Sequence, residues 1–192
     1  MAIIHKLYIS VDRLKTDTAI GGSVDENILQ PYILLAQDMY ILPMLGTDLD
    51  NDLKTHILLS TLTGDNKILV EQYIQPALVQ YSFAEVAPFM RLRFVNNAVV
   101  VMGSNEQSSS ATYEDIKPLI DRAKDAAEFY RQRLIEYLCN NSSKFPKYSS
   151  NTGADLQPTT NNYYAGMNLD INTPLSNREK AFLQGANIKK YG

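Results

Sequence analysis

The chain of 192 residues contains no tryptophan, one cysteine and only two histidines. The single cysteine, Cys139, excludes an internal disulfide, which fits a reducing compartment. Histidine is the side chain that most often serves general acid–base catalysis, and this chain has only His5 and His56. The sequence therefore argues against a disulfide-stabilised secreted scaffold and offers no histidine-based active site.

The chain also lacks a long apolar run and a basic cluster. No uninterrupted apolar stretch approaches the roughly 18 residues that predict a membrane span, and the first residues lack the apolar region of a signal peptide. The net charge is −3, and no run of lysine and arginine indicates nucleic-acid binding. We expect a soluble protein that is made in a cytoplasm and has no membrane partner.

What the chain does have is enough apolar sequence for one core. The hydrophobic fraction is 45%, and the length predicts one domain with an appendage. Residues 23–141 carry apolar side chains at helical spacing, which predicts a mainly α fold, a helical bundle. A long central helix is predicted at 66–92, bent or broken at Pro76 and Pro88. The last long helix is predicted to end near Leu138.

Two parts of the chain are predicted to be extended. Residues 1–22 alternate apolar and polar side chains and end at a glycine pair, which predicts an extended N-terminal arm. Three consecutive valines predict a strand in a β-hairpin at about 94–112, inserted before the last long helix. The predicted turn lies at 103–105 and the predicted return strand at 108–112, and Thr112 or Asp115 caps the helix that follows.

Residues 142–192 are predicted to form a long extended tail. They are rich in serine, threonine, asparagine, glycine and proline. Such a composition cannot offset a chain entropy of about 1–2 kcal/mol per residue through burial of its own side chains. A capping pattern at 174–179 predicts a short helix at about 177–184. We expect a neighbouring subunit to hold this tail.

The search for catalytic residues yields single side chains and no site. Glu85 lies among apolar residues and could serve as a general base, although a buried salt bridge to Arg91, Arg93 or a neighbouring subunit is the simpler explanation. Cys139 has no histidine near it in sequence and is predicted to be structural. We predict no catalytic residue and no cofactor, and we expect that the protein is not an enzyme.

An acidic cluster at the start of a predicted helix resembles the start of a calcium-binding loop. It consists of Asp48, Asp50 and Asp52. The pattern fails because Leu53 and Leu59 occupy the positions that require glycine and glutamate. Acidic residues are favourable in a first helical turn, so the cluster needs no metal. We predict no metal site.

Tyrosine occurs twelve times, and several copies lie in the predicted tail. Tyrosine supplies a large contact area with a polar tip, which is typical of interfaces. Compositional bias is the alternative explanation. We favour interfaces, and the predicted interface residues combine the valine strand, tail tyrosines and the short terminal helix: Val99, Val100, Val101, Tyr148, Tyr163, Tyr164, Phe182 and Leu183.

One segment carries a family resemblance. Residues 28–49 read ILQPYILLAQDMYILPMLGTDL and resemble the N-terminal helices of head–tail connector proteins, the adaptor or neck ring proteins of tailed bacteriophages. The likeness is to neck ring proteins of crAss-like phages of Bacteroidales in particular. It covers roughly residues 24–140, and the order of helices with a hairpin before the last long one also matches. The long tail departs from the smallest adaptors.

The resemblance implies a virion protein that forms a ring, commonly of about twelve copies, on the portal. Such a ring extends the DNA channel, retains the packaged genome and offers a platform to further neck and tail ring proteins. DNA would pass without sequence-specific binding, and the valine hairpin would line the lumen or insert against the portal. The alternatives are a non-phage helical interaction or scaffold module whose tail orders on a partner, and a small enzyme acting through Glu85.

Overall fold

The structure is a computed structural model that describes residues 6–21, 24–95, 98–101, 112–149 and 155–160, with only the backbone of the strands. It is mainly helical, as predicted. The α-helices are α1 Val11–Asp17, α2 Glu26–Ala36, α3 Leu42–Leu45, α4 Thr47–Leu58, α5 Gly64–Leu69, α6 Gln75–Val86, α7 Tyr113–Asn140 and α8 Pro146–Ser149. Two π-helical turns, Gln37–Ile41 and Val70–Ile74, and two 3-10 turns, Phe89–Arg91 and Ser142–Lys144, complete the helical part. The strands are β1 Leu92–Val95 and β2 Ala98–Val101.

Two of the prolines in the helical stretches each follow a π turn. Pro43 is the second residue after the turn Gln37–Ile41, and Pro76 is the second residue after the turn Val70–Ile74. A proline ring collides with the carbonyl four residues before it in a regular α-helix. Because those carbonyls lie within the π turns, the wider backbone accommodates the ring. The predicted break at Pro76 is therefore a local widening of the helix.

The helix α6 is the central element. Its buried residues include Ala77, Leu78 and Tyr81, and it packs against α1, α2 and α7. Because neighbours cover several of its sides, its apolar residues do not form a single stripe. The predicted central helix is confirmed, although it ends at Val86.

The long helix α7 begins with a complete capping box. The Asp115 N–H donates to Thr112 Oγ1 at 3.3 Å, and the Thr112 N–H donates to Asp115 Oδ2 at 2.8 Å. Thr112 is thus the cap and Asp115 its partner within the first turn. The side of α7 that faces the core carries the buried residues Ile120, Ala123, Ala127, Leu134, Ile135 and Leu138.

The extended arm predicted for residues 1–22 is wrong where the structure describes it. Ser10 Oγ accepts the Arg13 N–H at 3.1 Å and caps α1. Leu14 on this helix is fully buried, and Tyr8 also belongs to the core. The alternation of apolar and polar residues that predicted a strand spans only a few residues. The serine at the start of the segment caps a helix instead.

The strands β1 and β2 form an antiparallel ladder in which Leu92 pairs with Val101 and Val95 pairs with Ala98. The described partner of the valine strand is therefore β1, which precedes the valines, and not a strand that follows them. Residues 96–97, which separate the two strands, lie outside the described residues, and so do residues 108–111 of the predicted return strand. Residues 102–111 lie outside the described residues.

The beginning of the predicted tail is helical and packs on its own chain. Phe145 is 1% exposed and Tyr148 is 5% exposed, and both belong to the main hydrophobic core. The predicted domain boundary at residue 141 is therefore wrong, because two aromatic side chains anchor the segment that follows it. The predicted short helix at 177–184 lies outside the described residues.

One helical stretch of the described residues, Glu26–Leu45, is long and apolar enough to cross a membrane by length and composition alone. A core helix passes the same test. Leu29, Ile33 and Ala36 on this stretch are fully buried in the hydrophobic core, and α2 packs against α6. The expectation that the protein has no membrane partner stays a prediction.

Candidate assembly surfaces

An exposed apolar surface follows one side of α2 and the π turn after it. Ile28, Tyr32, Leu35 and Met39 recur at helical spacing, which places them on the same side. Ile28 is 51% exposed, Leu35 is 41% exposed and Met39 is 52% exposed. These four residues are called the α2 face. Large apolar side chains grouped in this way are candidates for contact with another protein.

Phe89, just after α6, adds to the α2 face. Its ring centroid lies 5.2 Å from that of Tyr32. Phe89 is 42% exposed and the next residue, Met90, is 37% exposed. The apolar surface therefore continues from α2 onto the segment that leads into β1.

A second exposed surface follows α7. Leu119, Arg122, Ala126, Phe129 and Arg133 recur at spacings of three and four residues and lie on one side of the helix. Leu119 is 56% exposed and Phe129 is 63% exposed, whereas the buried stripe of α7 uses other positions. These five residues are called the α7 face. Both large apolar members are therefore available for contact.

Acidic side chains are exposed along α2 and the π turn after it. The sequence contains no lysine or arginine between Lys15 and Lys54, whereas Asp25, Glu26 and Asp38 are exposed at or beside α2. Asp38 Oδ1 lies 3.8 Å from the Lys54 Nζ, and the Asp38 side chain is still 53% exposed. One ion pair of that length near the surface compensates little of the acidic character.

The α7 face has charges of both signs around it. Arg122 and Arg133 are exposed and lie on the same side as Leu119 and Phe129. The guanidinium carbon of Arg133 lies 4.7 Å from the centroid of the Tyr73 ring, a cation–π contact that leaves its charge in place. Asp125 and Glu136 are also exposed, each three residues after one of these arginines, so the face has no net basic character.

A pair of stacked tyrosines joins the π turn at Gln37–Ile41 to α6. The rings of Tyr40 and Tyr81 are 4.1 Å apart and nearly parallel, at 4°. Tyr40 Oη donates to Glu85 Oε1 at 2.7 Å, and Tyr81 Oη donates to Glu128 Oε2 at 3.4 Å. Burial and the Glu85 carboxylate raise the pKa of Tyr40 to about 12. Burial and Glu128 raise the pKa of Tyr81 well above its ordinary value, so both phenols remain neutral donors.

Glu85, the one carboxylate considered for catalysis, is thus engaged with a phenol. Its described partner is Tyr40, and the predicted salt bridge to Arg91 or Arg93 stays a prediction. The side chains of Arg91 and Arg93 lie outside the described part of the structure. The hydrogen bond from Tyr40 compensates the partial burial of the Glu85 carboxylate where the π turn packs against α6.

The segment before α1 is held by buried polar groups. The Tyr8 N–H donates to Gln37 Oε1 at 3.0 Å, and Gln75 Nε2 donates to the Tyr8 carbonyl at 2.8 Å. Tyr8 Oη donates to Asp50 Oδ1 at 2.8 Å, and Lys54 Nζ lies 2.7 Å from Asp50 Oδ2. Burial and the Asp50 charge raise the pKa of Tyr8 well above its ordinary value. Asp50, one of the suspected calcium ligands, therefore serves the core.

Residues 155–160, here called the tail clip, bind the corner between α3 and α4. The Thr47 N–H donates to the Leu156 carbonyl at 3.0 Å, and the Leu156 N–H donates to Thr47 Oγ1 at 3.0 Å. The Thr159 N–H donates to the Pro43 carbonyl at 2.8 Å. The described part of the distal tail is therefore held by its own chain, contrary to the expectation that a neighbouring subunit holds it.

Gly46 makes this contact possible. Its φ of 74° and ψ of 157° belong to a region that residues with a side chain almost never adopt. A Cβ at this position would lie 2.7 Å from Pro158 Cδ. Glycine therefore both ends the helical stretch and leaves room for the tail clip.

Of the predicted interface residues, the structure describes two groups. Val99, Val100 and Val101 lie on β2, of which only the backbone is described. Tyr148 is buried in its own chain with its Oη 3.9 Å from Cys139 Sγ, so its assignment to a subunit interface is wrong. Tyr163, Tyr164, Phe182 and Leu183 lie outside the described residues.

The remaining chemical candidates are dispersed. His56 Nδ1 lies 3.0 Å from Thr61 Oγ1 and its Nε2 lies 3.7 Å from Asp52 Oδ2, on the surface of α4. Cys139 is exposed near the end of α7. Among the described residues, no group of three or more histidine, cysteine, aspartate or glutamate side chains is placed to hold a metal ion.

The two faces were not among the sequence predictions, although their spacing is visible in the sequence. The helices α2 and α7 each carry more apolar positions than one buried stripe requires. The surplus residues Ile28, Leu35, Met39, Leu119 and Phe129 are the exposed ones. The packing of the other helices determines which apolar stripe of a helix is buried in the core and which stays exposed.

Fold and surfaces together define a helical protein with an antiparallel ladder before its last long helix and with two exposed apolar faces. A family model matches residues 41–157, more than half of the chain. The chain therefore belongs to this family, described as a family of unknown function (DUF6712). No curated protein and no solved structure matches the chain.

Proposed function

We propose that the protein is a structural subunit of a head–tail connector ring in a tailed bacteriophage, a neck ring that docks on the portal and joins capsid to tail. The observation that carries the proposal is the presence of two large exposed apolar faces, on α2 and α7 of one helical unit. A subunit of a ring meets its two neighbours through two different surfaces. The resemblance of residues 28–49 to connector proteins supports the same assignment.

In this proposal the role of the chain is mechanical and not enzymatic. The ring extends the DNA channel, retains the packaged genome and presents a platform to further neck or tail ring proteins in the virion. Its partners are copies of itself and the portal protein. The net charge of −3 supports passage of DNA without tight or sequence-specific binding, because neutralisation of phosphates by lysine and arginine supplies most non-specific affinity.

The ladder of β1 and β2 has a place in this proposal as an inserted β-hairpin. Val99, Val100 and Val101 make β2 free of charge over three successive positions. An uncharged strand that lines the lumen would not hold the phosphate backbone, and one that meets the portal would bury apolar area. Both placements fit a connector ring, and the hairpin is the element that we assign to the channel side of the assembly.

The test is the mass of the purified full-length chain, with and without a candidate portal protein, measured by analytical ultracentrifugation. A matched variant ends at Thr160, so that it keeps the buried Phe145 and Tyr148 and also the tail clip. We expect an oligomer many times the 21.6 kDa of one chain, and electron microscopy should show rings on the portal.

Two results would separate the alternatives. A full-length protein that stays monomeric with and without the portal contradicts the connector proposal and favours a helical interaction or scaffold module. Rings that form equally well from the variant ending at Thr160 leave the connector role in place and remove residues 161–192 from the assembly contacts.

A further inference from the structure

We propose that the tail clip is a reversible latch that couples the last described segment of the chain to the first. The first described segment is residues 6–9, here called the N-terminal segment. When the tail clip is docked, it caps the first turn of α4, and that turn secures the N-terminal segment. When the tail clip is released, both are loosened. The inference concerns the single chain and does not rest on the proposed ring.

The first step of the coupling is the cap of α4. The residue at the N-cap position is Gly46, so this helix has no capping side chain there. The Leu156 carbonyl instead accepts the Thr47 N–H, the first amide of the helix. The Thr47 hydroxyl accepts the Leu156 N–H and donates to Asp155 Oδ2, each at 3.0 Å. A helix is stabilised when the free amides of its first turn find acceptors. The tail clip therefore supplies the cap that the sequence next to α4 lacks.

The second step is the weak hold on the tail clip itself. None of the six residues 155–160 is buried, and Leu156 is 40% exposed. The tail clip is held by its hydrogen bonds to Thr47 and by the bond from the Thr159 N–H to the Pro43 carbonyl. A segment with little buried apolar area opens locally at a smaller cost in free energy than the core does. The tail clip can therefore leave its site while the helices stay folded.

The third step is the link from α4 to the N-terminal segment. The Asp50 N–H donates to the Gly46 carbonyl at 3.1 Å and closes the first turn of α4. Asp50 Oδ1 accepts from Tyr8 Oη at 2.8 Å, and both residues are buried. A buried hydrogen bond of this kind depends on the position of both partners. Fraying of the first turn would displace Asp50 and weaken the bond that fixes Tyr8.

The N-terminal segment also has anchors that do not pass through α4. Gln37 accepts the Tyr8 N–H, and Gln75 donates to the Tyr8 carbonyl. These bonds remain when the tail clip opens. We therefore expect the N-terminal segment to open more often, and not to detach, when the tail clip is released.

The experiment measures amide hydrogen exchange in the full-length chain under native conditions. Thr47→Val removes the hydroxyl that binds the tail clip and keeps the backbone N–H and the branched shape. Thr55→Val is the matched control, because Thr55 is exposed on the same helix and its hydroxyl donates to the Asn51 carbonyl of that helix. The amides of the fully buried Leu78 in α6 and Ala127 in α7 report on global unfolding.

The expected result is faster exchange at both ends of the coupled path. In Thr47→Val, exchange at the Leu156 and Thr159 amides should accelerate about tenfold, because two hydrogen bonds of the tail clip are lost. Exchange at the Asp50 and Tyr8 amides should accelerate about fivefold, the effect of one lost helix cap. The control should leave all four amides at the wild-type rate.

The reverse direction gives a second test, because coupling between two sites is reciprocal. Tyr8→Phe removes the hydroxyl that donates to Asp50 and keeps the aromatic ring. We expect exchange at the Leu156 and Thr159 amides to accelerate about fivefold in this variant as well.

Three results would overturn the inference. An unchanged rate at the Leu156 amide of Thr47→Val would show that the hydroxyl does not hold the tail clip. A faster rate at Leu156 with an unchanged rate at Tyr8 would show that the tail clip opens without effect on the N-terminal segment. Equal acceleration at Leu78, Ala127 and Leu156 would show that the tail clip opens only when the whole chain unfolds.

Discussion

At the scale of single residues, Gly46 and Thr47 have defined structural tasks. The turn between α3 and α4 needs a backbone conformation that glycine adopts without strain, and Thr47 uses both its N–H and its hydroxyl on Leu156. Both residues lie within the segment that carries the connector resemblance. Part of that sequence pattern therefore encodes the docking of the tail clip.

We expect Gly46→Ala to lower the free energy of unfolding by about 1–3 kcal/mol, because a Cβ there is strained in its backbone and collides with Pro158. Chemical denaturation measures this loss. Hydrogen exchange should also accelerate at the Leu156 and Thr159 amides, which bind the corner between α3 and α4.

Gly64→Ala is the matched control for this change. Gly64 also has a positive φ, of 57°, but a Cβ there would meet nothing within 4 Å. It should cost about 1 kcal/mol without any change in exchange at the tail clip. Equal exchange in the two variants would show that the tail clip does not depend on Gly46.

At the scale of elements, spacing predicts α4 and α7 well because each buries apolar residues at helical spacing. Spacing fails to predict the structure where contacts with other parts of the chain determine it. Ser10 and the buried Tyr8 turn the supposed arm into a packed helical segment. The valine strand pairs with β1, which precedes it, whereas the valine run alone suggested a partner that follows it.

The candidate surfaces show the same limit. Helical spacing in α7 predicts that Leu119 and Ile120 are both apolar positions of the helix, but only Ile120 is buried, at 6% exposure. The partner helix determines this difference, and the sequence of α7 alone does not contain it. Tyr148 was assigned to an interface by composition, whereas packing on the end of α7 places it in the core.

A buried phenylalanine after α7 and an exposed one within α7 allow a test of the packing of this segment. Phe145→Ala should lower the free energy of unfolding by about 3–5 kcal/mol, since the side chain is 1% exposed and its loss leaves a cavity. Phe129→Ala, at a site that is 63% exposed, should change it by less than about 0.5 kcal/mol in the monomer. Urea denaturation at low protein concentration measures both. A Phe145→Ala variant as stable as the wild type would place the segment outside the core.

At the scale of the whole molecule, tyrosines join several parts of the chain through buried or half-buried contacts. Tyr8 links the N-terminal segment to α4, and Tyr40 links the π turn to α6. Tyr81 links α6 to α7, and Tyr148 lies against the end of α7. In all four, burial is the largest cause that raises the pKa of the phenol. The twelve tyrosines of the sequence thus serve the interior as well as any interface.

This arrangement predicts alkaline instability of the fold. The unfolded chain releases its phenol protons near pH 10, whereas folded Tyr40 has a pKa of about 12. Above pH 10 the unfolded state therefore binds fewer protons than the folded state, and the free energy of unfolding falls as the pH rises. The stabilisation is fully present below pH 10 and is lost as the pH passes through the folded pKa values.

Denaturation at a series of alkaline pH values, read together with phenolate absorbance, measures this dependence. In Tyr40→Phe one contributing phenol is absent, so the free energy of unfolding should fall less steeply between pH 10 and pH 12 than in the wild type. Tyr113→Phe is the control, because that phenol is 52% exposed and should leave the slope unchanged. Identical slopes for wild type and Tyr40→Phe would mean that the Tyr40 phenol does not contribute to alkaline unfolding.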